Sequence, residues 1–205
     1  MDSVKPICLN SVRTHGWNSL LLGILALAGA AGCYFLSGGM AGILSATSRG
    51  DSRSRIWCLL GAVVLLLAAL GLLFQGLKDL FAPGNGSLSK SIRSQLPPEQ
   101  QTLPPHELFA LVDRDLSRGY QTLLNNDVLA GQEWLLFRDG SVVAMRYDCL
   151  QQTSLGREKK KFVLTVTARG NIRTRVTVSE LSACQEALAL LHARAPQMAQ
   201  MVPLQ

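Results

Sequence analysis

The segment KKKFVLTVTARGNIRTRVTVSELSACQEALALL, residues 159–191, has the pattern of two strands joined by a short turn and followed by a helix. A loop of only Arg169 and Gly170 would place leucine and valine opposite arginines on one face of the hairpin, which is unfavourable. A three-residue loop that includes Asn171 brings the apolar residues together, and asparagine tolerates the left-handed conformation needed at the last loop position. We therefore predict the pairs Phe162/Val178, Leu164/Val176, Val166/Thr174 and Ala168/Ile172, with Thr165, Thr167, Arg173 and Arg175 on a solvated face.

A helix is predicted directly after this hairpin. Ser179 is a favourable N-cap residue, and Glu180 in the first turn suits the positive end of the helix dipole. One apolar face is formed at helical spacing by Leu181, Cys184, Leu188 and Leu191. The helix should end near Ala195, because Pro196 disfavours helical conformation in the residue before it. We expect the apolar face to pack on the sheet.

A second hairpin is predicted upstream, in DVLAGQEWLLFRDGSVVAMRYDCL, residues 127–150. Asp139-Gly140 is a favoured two-residue hairpin turn, because both positions must tolerate positive φ. Pairing outward from this turn gives Phe137/Val142, Leu135/Ala144 and Glu133/Arg146 on one face, and Leu136/Val143 and Trp134/Met145 on the other. Both faces are largely apolar, so we expect other elements to cover both sides of this hairpin.

A short amphipathic helix is predicted to open the domain. Pro105 fits the first helical turn, and Gly119 ends a run in which Leu108, Leu111, Val112 and Leu116 recur at helical spacing. The preceding residues 82–105, APGNGSLSKSIRSQLPPEQQTLPP, contain five prolines and small polar residues without an apolar period. We predict a flexible linker over 82–105 and an α+β domain over 106–205.

Two apolar runs precede this linker. Residues 18–46 contain no charged side chain, and residues 56–77 repeat the pattern. A bilayer core of about 30 Å needs about 20 helical residues, so each run is long enough to span. We predict transmembrane helices at about 18–45 and 56–77 within an N-terminal region of residues 1–81, with Trp17 and Trp57 at the headgroup level.

The first run also has features that leave alternatives open. Small residues four apart would let helices approach closely, within one chain or between copies: Ala26 and Ala30, Ala28 and Gly32, and Gly38 and Gly42. LAGAAGC, residues 27–33, is similar to a lipoprotein cleavage site, which would make the run a removable signal peptide. The apolar run continues past Cys33, and this favours the transmembrane interpretation.

The orientation in the membrane is predicted from charge. The loop TSRGDSRSR, residues 47–55, separates the two runs, so the N-terminus and the domain lie on the same side. That side carries Lys5, Arg13, Lys78, Lys90 and Arg93, whereas the loop carries Arg49, Arg53 and Arg55. Because cytoplasmic flanks are enriched in lysine and arginine, we expect a multi-pass protein of the cell membrane with both termini in the cytoplasm.

Three motifs carry a resemblance to a known family. EWLLFRDGSVVAMRY, FVLTVTARGNIRTRVTV and the terminal LALLHARAP, within residues 120–195, resemble a pleckstrin-homology-like domain of the bacterial kind. The resemblance implies a bent antiparallel sheet plugged by a C-terminal helix. The whole chain is similar to small bacterial membrane proteins in which two N-terminal transmembrane helices precede such a domain. By that analogy the domain is a binding or scaffolding module. Phosphoinositide-binding members use basic residues in the first strand loop, and no such cluster lies between Tyr120 and Glu133.

The clearest candidate for binding is a group of basic residues. It consists of Arg157, Lys159, Lys160 and Lys161, with Arg173 and Arg175 on the following strand. Beside a membrane these residues would contact anionic lipid headgroups, each contributing on the order of 1 kcal/mol. The alternative is a solubilising loop beside a solvated strand face. Another membrane protein is a further possible partner. No nucleic acid is expected, because the net charge of +6 is shared between the membrane part and the domain.

We expect neither a catalytic site nor a metal site. The three histidines have no serine, cysteine or carboxylate pattern beside them, and the five cysteines are scattered without a metal-ligand spacing. We therefore predict no enzyme, no metal and no cofactor. The predicted function is a membrane-anchored binding or scaffolding protein that presents its domain at the membrane surface. The alternative is a homo-oligomeric channel or a subunit of a membrane complex, in which the helices do the work.

Overall fold

The chain has an α+β fold, as the sequence predicts. A computed structural model describes residues 6–38 and 52–197, the side chains of residues 52–55 excepted. The helices are α1 (Ile7–Leu36), α2 (Ser52–Phe81), α3 (Ser87–Gln95), α4 (Pro105–Ser117) and α5 (Leu181–Arg194). The strands are β1 (Gln121–Leu123), β2 (Val128–Ala130), β3 (Trp134–Phe137), β4 (Val143–Arg146), β5 (Leu150–Glu158), β6 (Lys161–Ala168) and β7 (Ile172–Val178). The chain forms two compact units: residues 13–82, and residues up to Val12 together with those from Pro83 onward.

The first unit contains two helices that are long and apolar enough to cross a membrane. The mean hydropathy of their most apolar windows is 2.0 in α1 and 2.8 in α2, and only 17% and 6% of those windows are buried. The exposed large apolar side chains of the described residues all lie on these helices, apart from Tyr120 and Leu181. The predicted span 56–77 falls inside α2. α1 begins at Ile7, earlier than the predicted start at residue 18. It ends at Leu36 and is followed by a turn at Ser37 and Gly38, so it stops before the predicted end at about residue 45. Residues 39–45 lie outside the described part.

Glycines bring α1 and α2 into close contact. A Cβ atom added to Gly76 would lie 2.8 Å from the carbonyl oxygen of Gly16, and one added to Gly23 would lie 2.9 Å from Cγ of Leu73. Such distances exclude a side chain without a shift of the backbone. Small residues therefore serve helix packing within this chain, as expected for helices in lipid.

The glycines in this contact differ from the small residues singled out in the sequence. Ala30 is buried, but Ala28 is exposed, and a Cβ atom on Gly32 would meet nothing within 4 Å. Gly42 lies outside the described residues. The spacing of small residues thus indicated the kind of contact without identifying the residues that make it.

The second unit is built on two antiparallel sheets. One has the strand order β1-β2-β3-β4 and the other β5-β6-β7. The larger hydrophobic cluster joins side chains from both sheets, such as Phe137 and Leu164, with Cys184, Ala187 and Leu191 of α5. The helix therefore packs on the sheets, as the sequence predicts. Of the predicted apolar face, Cys184 and Leu191 are buried and Leu188 is partly buried, whereas Leu181 is exposed and Ala187 takes its place in the core.

A second hydrophobic cluster covers the opposite face of the four-stranded sheet. There Trp134, Leu136 and Ala144 pack with side chains of α3 and α4. Cys8 and Val12, from the first turns of α1, belong to the same cluster. The expectation that both faces of the β3–β4 hairpin are covered is confirmed.

The two hairpins differ in how well the sequence predicted their register. For β6 and β7 the observed pairs run from Phe162/Val178 to Ala168/Ile172, as predicted, and Asn171 has φ of 61°. For β3 and β4 the predicted register is wrong by one residue. The observed pairs are Phe137/Val143, Leu136/Ala144, Leu135/Met145 and Trp134/Arg146, so the loop spans residues 138–142. The observed register places Leu135, Phe137, Val143 and Met145 together in the larger cluster.

The structure corrects the predicted linker over 82–105. Within it α3 forms, and Leu88, Ile92 and Leu96 are buried in the second cluster. Polar side chains of α3, the exposed Ser87 and the buried Ser91 and Gln95, bind the backbone of Val142 and the free edge of β4. Ser87 Oγ donates to the carbonyl oxygen of Val142 at 2.8 Å, and Ser91 Oγ accepts from the amide of Ala144 at 3.1 Å.

Gln95 extends this row of hydrogen bonds by one further turn. Its Nε2 donates to the carbonyl oxygen of Ala144 at 2.9 Å, and its Oε1 accepts from the amide of Arg146 at 2.7 Å. Four residues of helix advance about 6 Å and two residues of strand about 6.7 Å, so every fourth side chain of α3 meets every second residue of β4. The helix thus occupies the edge at which another strand would pair.

The start of α5 is also corrected. Its N-cap residue is Glu180, not Ser179, and no side chain forms a capping hydrogen bond. The predicted end is confirmed, because the helix stops at Arg194 with Ala195 as its C-cap. The helix predicted from Pro105 is confirmed as well, over Pro105–Ser117.

Candidate functional site

The predicted basic residues lie around the turn between β5 and β6. Glu158 pairs with Lys161, so Lys159 and Lys160 form a two-residue loop. All three lysines are exposed. Lys159 has φ of 56°, a left-handed conformation that glycine adopts far more readily than lysine. The turn therefore presents three adjacent ammonium groups to solvent.

Strand pairing places four of the six predicted residues on two faces, while Lys159 and Lys160 lie in the turn. Arg175 pairs with Thr165 and Arg173 with Thr167, so both arginines share the outer face of the three-stranded sheet. Lys161 lies on the same face, because side chains alternate along β6. Arg157 pairs with Phe162 on the opposite face, and its guanidinium lies 5.8 Å from the centre of that ring. Arg157 therefore packs on an aromatic side chain at the end of the sheet.

Ion pairing reduces the charge of only part of this group. Arg175 forms an ion pair with the exposed Glu158 of β5. Among the described residues, no ion pair includes Lys159, Lys160 or Lys161. The basic surface, defined here as these three lysines with Arg173 and Arg175, therefore keeps most of its positive charge available to an anionic partner.

A shallow depression adjoins the basic surface on the outer face of the same sheet. Its volume is about 460 Å³, and it is lined by Gln152, Ser154, Thr165, Thr167, Asn171 and Arg173. The lining consists of hydroxyls, amides and one guanidinium. Such groups donate hydrogen bonds to oxygen atoms, so the depression extends the chemistry of the basic surface.

Buried titratable groups of the second unit have structural roles. Burial raises the pKa of Asp113, whereas hydrogen bonds from the backbone amides of Ile7 and Cys8 act in the opposite direction. The Cys8 amide donates to Asp113 Oδ1 at 2.7 Å, which places this carboxylate at the start of α1. Burial also raises the pKa of Cys149 and Cys184, so both thiols stay protonated and are poor nucleophiles. Among the described residues, no group of three or more potential ligands is placed to hold a metal ion.

A second candidate site, which the sequence did not reveal, is a cleft of about 220 Å³ between α4, the segment at Leu96–Gln100 and the β3–β4 hairpin. Three arginines line it, namely Arg114, Arg118 and Arg146, together with Leu96, Gln100, Leu111, Asp115, Glu133 and Trp134. We call it the arginine cleft. Arg114 lies on α4 and Arg118 is its C-cap residue in helical conformation, a spacing of four residues that places both on one face. That spacing is visible in the sequence, but Arg146 joins them only through the tertiary fold.

Asp115 anchors α4 to the turn before β3. Its Oδ2 accepts hydrogen bonds from the amides of Glu133 at 3.1 Å and Trp134 at 3.0 Å. Gly131 lies against the carboxylate, since a Cβ atom there would be 2.2 Å from Oδ2. Asp115 is only 4% exposed, and its Oδ1 has no hydrogen-bond partner among the described residues. Asp115, which lines the cleft, therefore keeps one buried acceptor without a partner.

Comparisons with known proteins give no match. No protein-family model fits the chain, and neither a curated protein nor a solved structure is significantly similar to it.

Proposed function

We propose that this chain is a membrane-anchored, non-enzymatic binding protein that presents a pleckstrin-homology-like domain at the membrane surface. The membrane anchor is supported by α1 and α2, which expose large apolar side chains over most of their length. The domain assignment is supported by the arrangement of a four-stranded and a three-stranded antiparallel sheet with a C-terminal helix packed on both. The resemblance implies one bent antiparallel sheet; the two sheets differ from this, and the C-terminal helix packed on them agrees with it.

The basic surface is the proposed contact region, and its partner is the anionic surface of a lipid bilayer. The observation that carries the proposal is the turn at Lys159 and Lys160. A left-handed conformation costs a residue other than glycine about 1–2 kcal/mol. The chain nevertheless has lysine at a loop position that favours glycine, and the turn exposes three lysines without ion-pair partners in the described part. Backbone strain at a residue that exposes positive charge supports a role of this turn in binding.

The size of the expected effect follows from the number of charges. A basic residue near an anionic leaflet contributes about 1 kcal/mol, so each lysine contributes about fivefold to the affinity. Anionic lipids are concentrated in the cytoplasmic leaflet, and the predicted orientation places the domain on that side. We therefore propose that the domain works in the cytoplasm, with both termini on that side.

A sedimentation experiment with the full chain tests the lipid contact. The protein is reconstituted in nanodiscs of phosphatidylcholine and mixed with sucrose-loaded vesicles that contain phosphatidylglycerol. We expect co-sedimentation with these vesicles and not with vesicles of phosphatidylcholine alone. Lys160→Glu should reduce binding at least about fivefold. Lys90→Glu, an equally exposed lysine on α3, is the matched control and should have a much smaller effect.

Two outcomes would contradict the proposal. The first is equal binding to neutral and anionic vesicles. The second is an equal loss of binding in Lys160→Glu and Lys90→Glu, which would show that only the net charge of the protein matters. Salt dependence provides a further check, because a contact between exposed charges has to weaken as ionic strength rises.

A further inference from the structure

We infer that the arginine cleft binds a small dipolar ligand, a phosphate group that carries an ammonium group nearby, as in phosphoethanolamine. This inference does not rest on the basic surface, which lies on β6, β7 and the β5–β6 turn. It rests on two features that occur together in the cleft: cationic side chains with unused donors, and a buried carboxylate with an unused acceptor.

The arginines supply the anion-binding part. Among the described residues, neither Arg114 nor Arg118 forms an ion pair. Arg146 is held in place from two sides: its guanidinium lies 5.8 Å from the ring centre of Trp134, and its Nη2 lies 3.0 Å from Asp148 Oδ2. Guanidinium groups bind phosphate through paired N–H donors, and three of them match the several oxygens of a phosphate better than the two of a carboxylate.

The acidic residues supply the cation-binding part. Asp115 uses Oδ2 for two backbone amides and leaves Oδ1 buried without a partner. An unsatisfied buried acceptor is unfavourable. Oδ1 has almost no accessible surface, so the N–H donor of a ligand removes that penalty only when the side chains around Asp115 shift to admit it. Glu133 is exposed and lines the same cleft. Arg146 is already paired with Asp148, so the unpaired Arg114 and Arg118 stand against Asp115 and Glu133, a balance that suits a ligand with both signs of charge.

The volume limits the size of the ligand. Pockets for drug-sized molecules occupy about 300–1,000 Å³, whereas this cleft has about 220 Å³. A headgroup-sized molecule fits this volume. The shared chemistry, a phosphate with an ammonium group, occurs both in the free compound and in the headgroup of phosphatidylethanolamine.

Calorimetric titration of the full chain in maltoside micelles tests the inference with three probes. Phosphoethanolamine should bind more tightly than phosphocholine, which lacks an N–H donor, and more tightly than inorganic phosphate, which lacks the cation. Arg118→Gln should weaken phosphoethanolamine binding at least about tenfold, since a hydrogen bond to a charged group is lost. Arg169→Gln removes an exposed arginine on the β6–β7 loop and should leave binding unchanged.

Asp115→Asn separates ligand recognition from folding. The side-chain oxygen of asparagine can still accept from Glu133 and Trp134, but an NH₂ group then replaces the free acceptor. The preference for phosphoethanolamine over inorganic phosphate should therefore be lost while thermal stability is largely kept. If the three probes bind equally to the natural chain, or none binds, the inference is wrong. It is also wrong if Asp115→Asn keeps the preference.

Competition distinguishes the two sources of the ligand. The titration is repeated with the chain in nanodiscs that contain phosphatidylethanolamine or phosphatidylcholine alone. A lower apparent affinity for free phosphoethanolamine in the nanodiscs with phosphatidylethanolamine indicates that the lipid headgroup occupies the cleft. Equal affinity in both indicates a free ligand. Either result agrees with a ligand site in the cleft. A triple variant with Lys159, Lys160 and Lys161 changed to glutamate should still bind phosphoethanolamine, even if its binding to anionic vesicles is lost.

Discussion

The contact between α3 and the edge of β4 predicts that two neighbouring serines differ sharply in their contribution to stability. Ser91 and Ser89 lie on the same helix and are 3% and 1% exposed. Ser91 Oγ accepts from the amide of Ala144 and donates to the carbonyl oxygen of Leu88 at 2.8 Å. Ser89 Oγ has no hydrogen-bond partner among the described residues. Ser91→Ala and Ser89→Ala are therefore a matched pair of substitutions.

The magnitude follows from the partner that each substitution leaves behind. Ser91→Ala leaves the amide of Ala144 unpaired, and Ala144 is fully buried, so the free energy of unfolding should fall by about 1–3 kcal/mol. Ser89→Ala removes a buried hydroxyl that has no partner, so it should be neutral or slightly stabilising. The two variants should differ by about 2 kcal/mol.

The measurement uses the full chain in detergent micelles. Unfolding is followed by the fluorescence of the buried Trp134, with Trp17→Phe and Trp57→Phe as the common background. Hydrogen exchange of peptides that cover β4 provides a local readout and should accelerate only in Ser91→Ala. Equal stability of the two serine variants, or unchanged exchange in β4, would refute the view that α3 replaces a strand at this edge.

Three further substitutions test other contacts. Gly131→Ala should destabilise the domain by about 2 kcal/mol or more, because its Cβ would lie 2.2 Å from Asp115 Oδ2, and unchanged chemical denaturation would contradict this. Gly76→Ala should lower the melting temperature in detergent, because Gly76 lies in the close contact between α1 and α2. Gly71→Ala is the control and should not lower it, since a Cβ there would meet nothing within 4 Å. Equal effects would show that the close helix contact is unimportant. Lys159→Gly should stabilise the domain by about 1 kcal/mol, because glycine adopts the left-handed conformation without strain. The same substitution should weaken binding to anionic vesicles. A loss of stability would argue against strain at this turn.

The sequence specified one hairpin register and not the other for a physical reason. In β6 and β7 only one face is apolar, and a shift by one residue would bring arginines to the core, so the pattern selects a single pairing. In β3 and β4 both faces are apolar, and adjacent registers bury similar side chains. The Asp139-Gly140 pair located the turn, since Gly140 has φ of 70°, but it did not set the loop length.

The predicted linker shows why polar residues that bind backbone are hard to identify from sequence. Ser87, Ser91 and Gln95 have the composition of a solvated segment, yet they bind the backbone of Val142 and of β4. Their spacing of four residues is a helical signal, but it concerns polar residues rather than apolar ones. The same limit applies to the candidate sites. The lysine cluster at residues 159–161 is contiguous and was found, whereas Arg146 reaches the arginine cleft only because β3 and β4 pair.

The hydrogen bond between the Cys8 amide and Asp113 joins residues 105 positions apart. During translation the beginning of α1 therefore emerges long before its partner on α4 exists, and the second cluster is completed late. A fragment that begins at residue 83 would lack Cys8 and Val12 and would expose the apolar surface that they cover. Such a fragment should be prone to aggregation, and supplying residues 6–12 as a separate peptide should reduce that tendency.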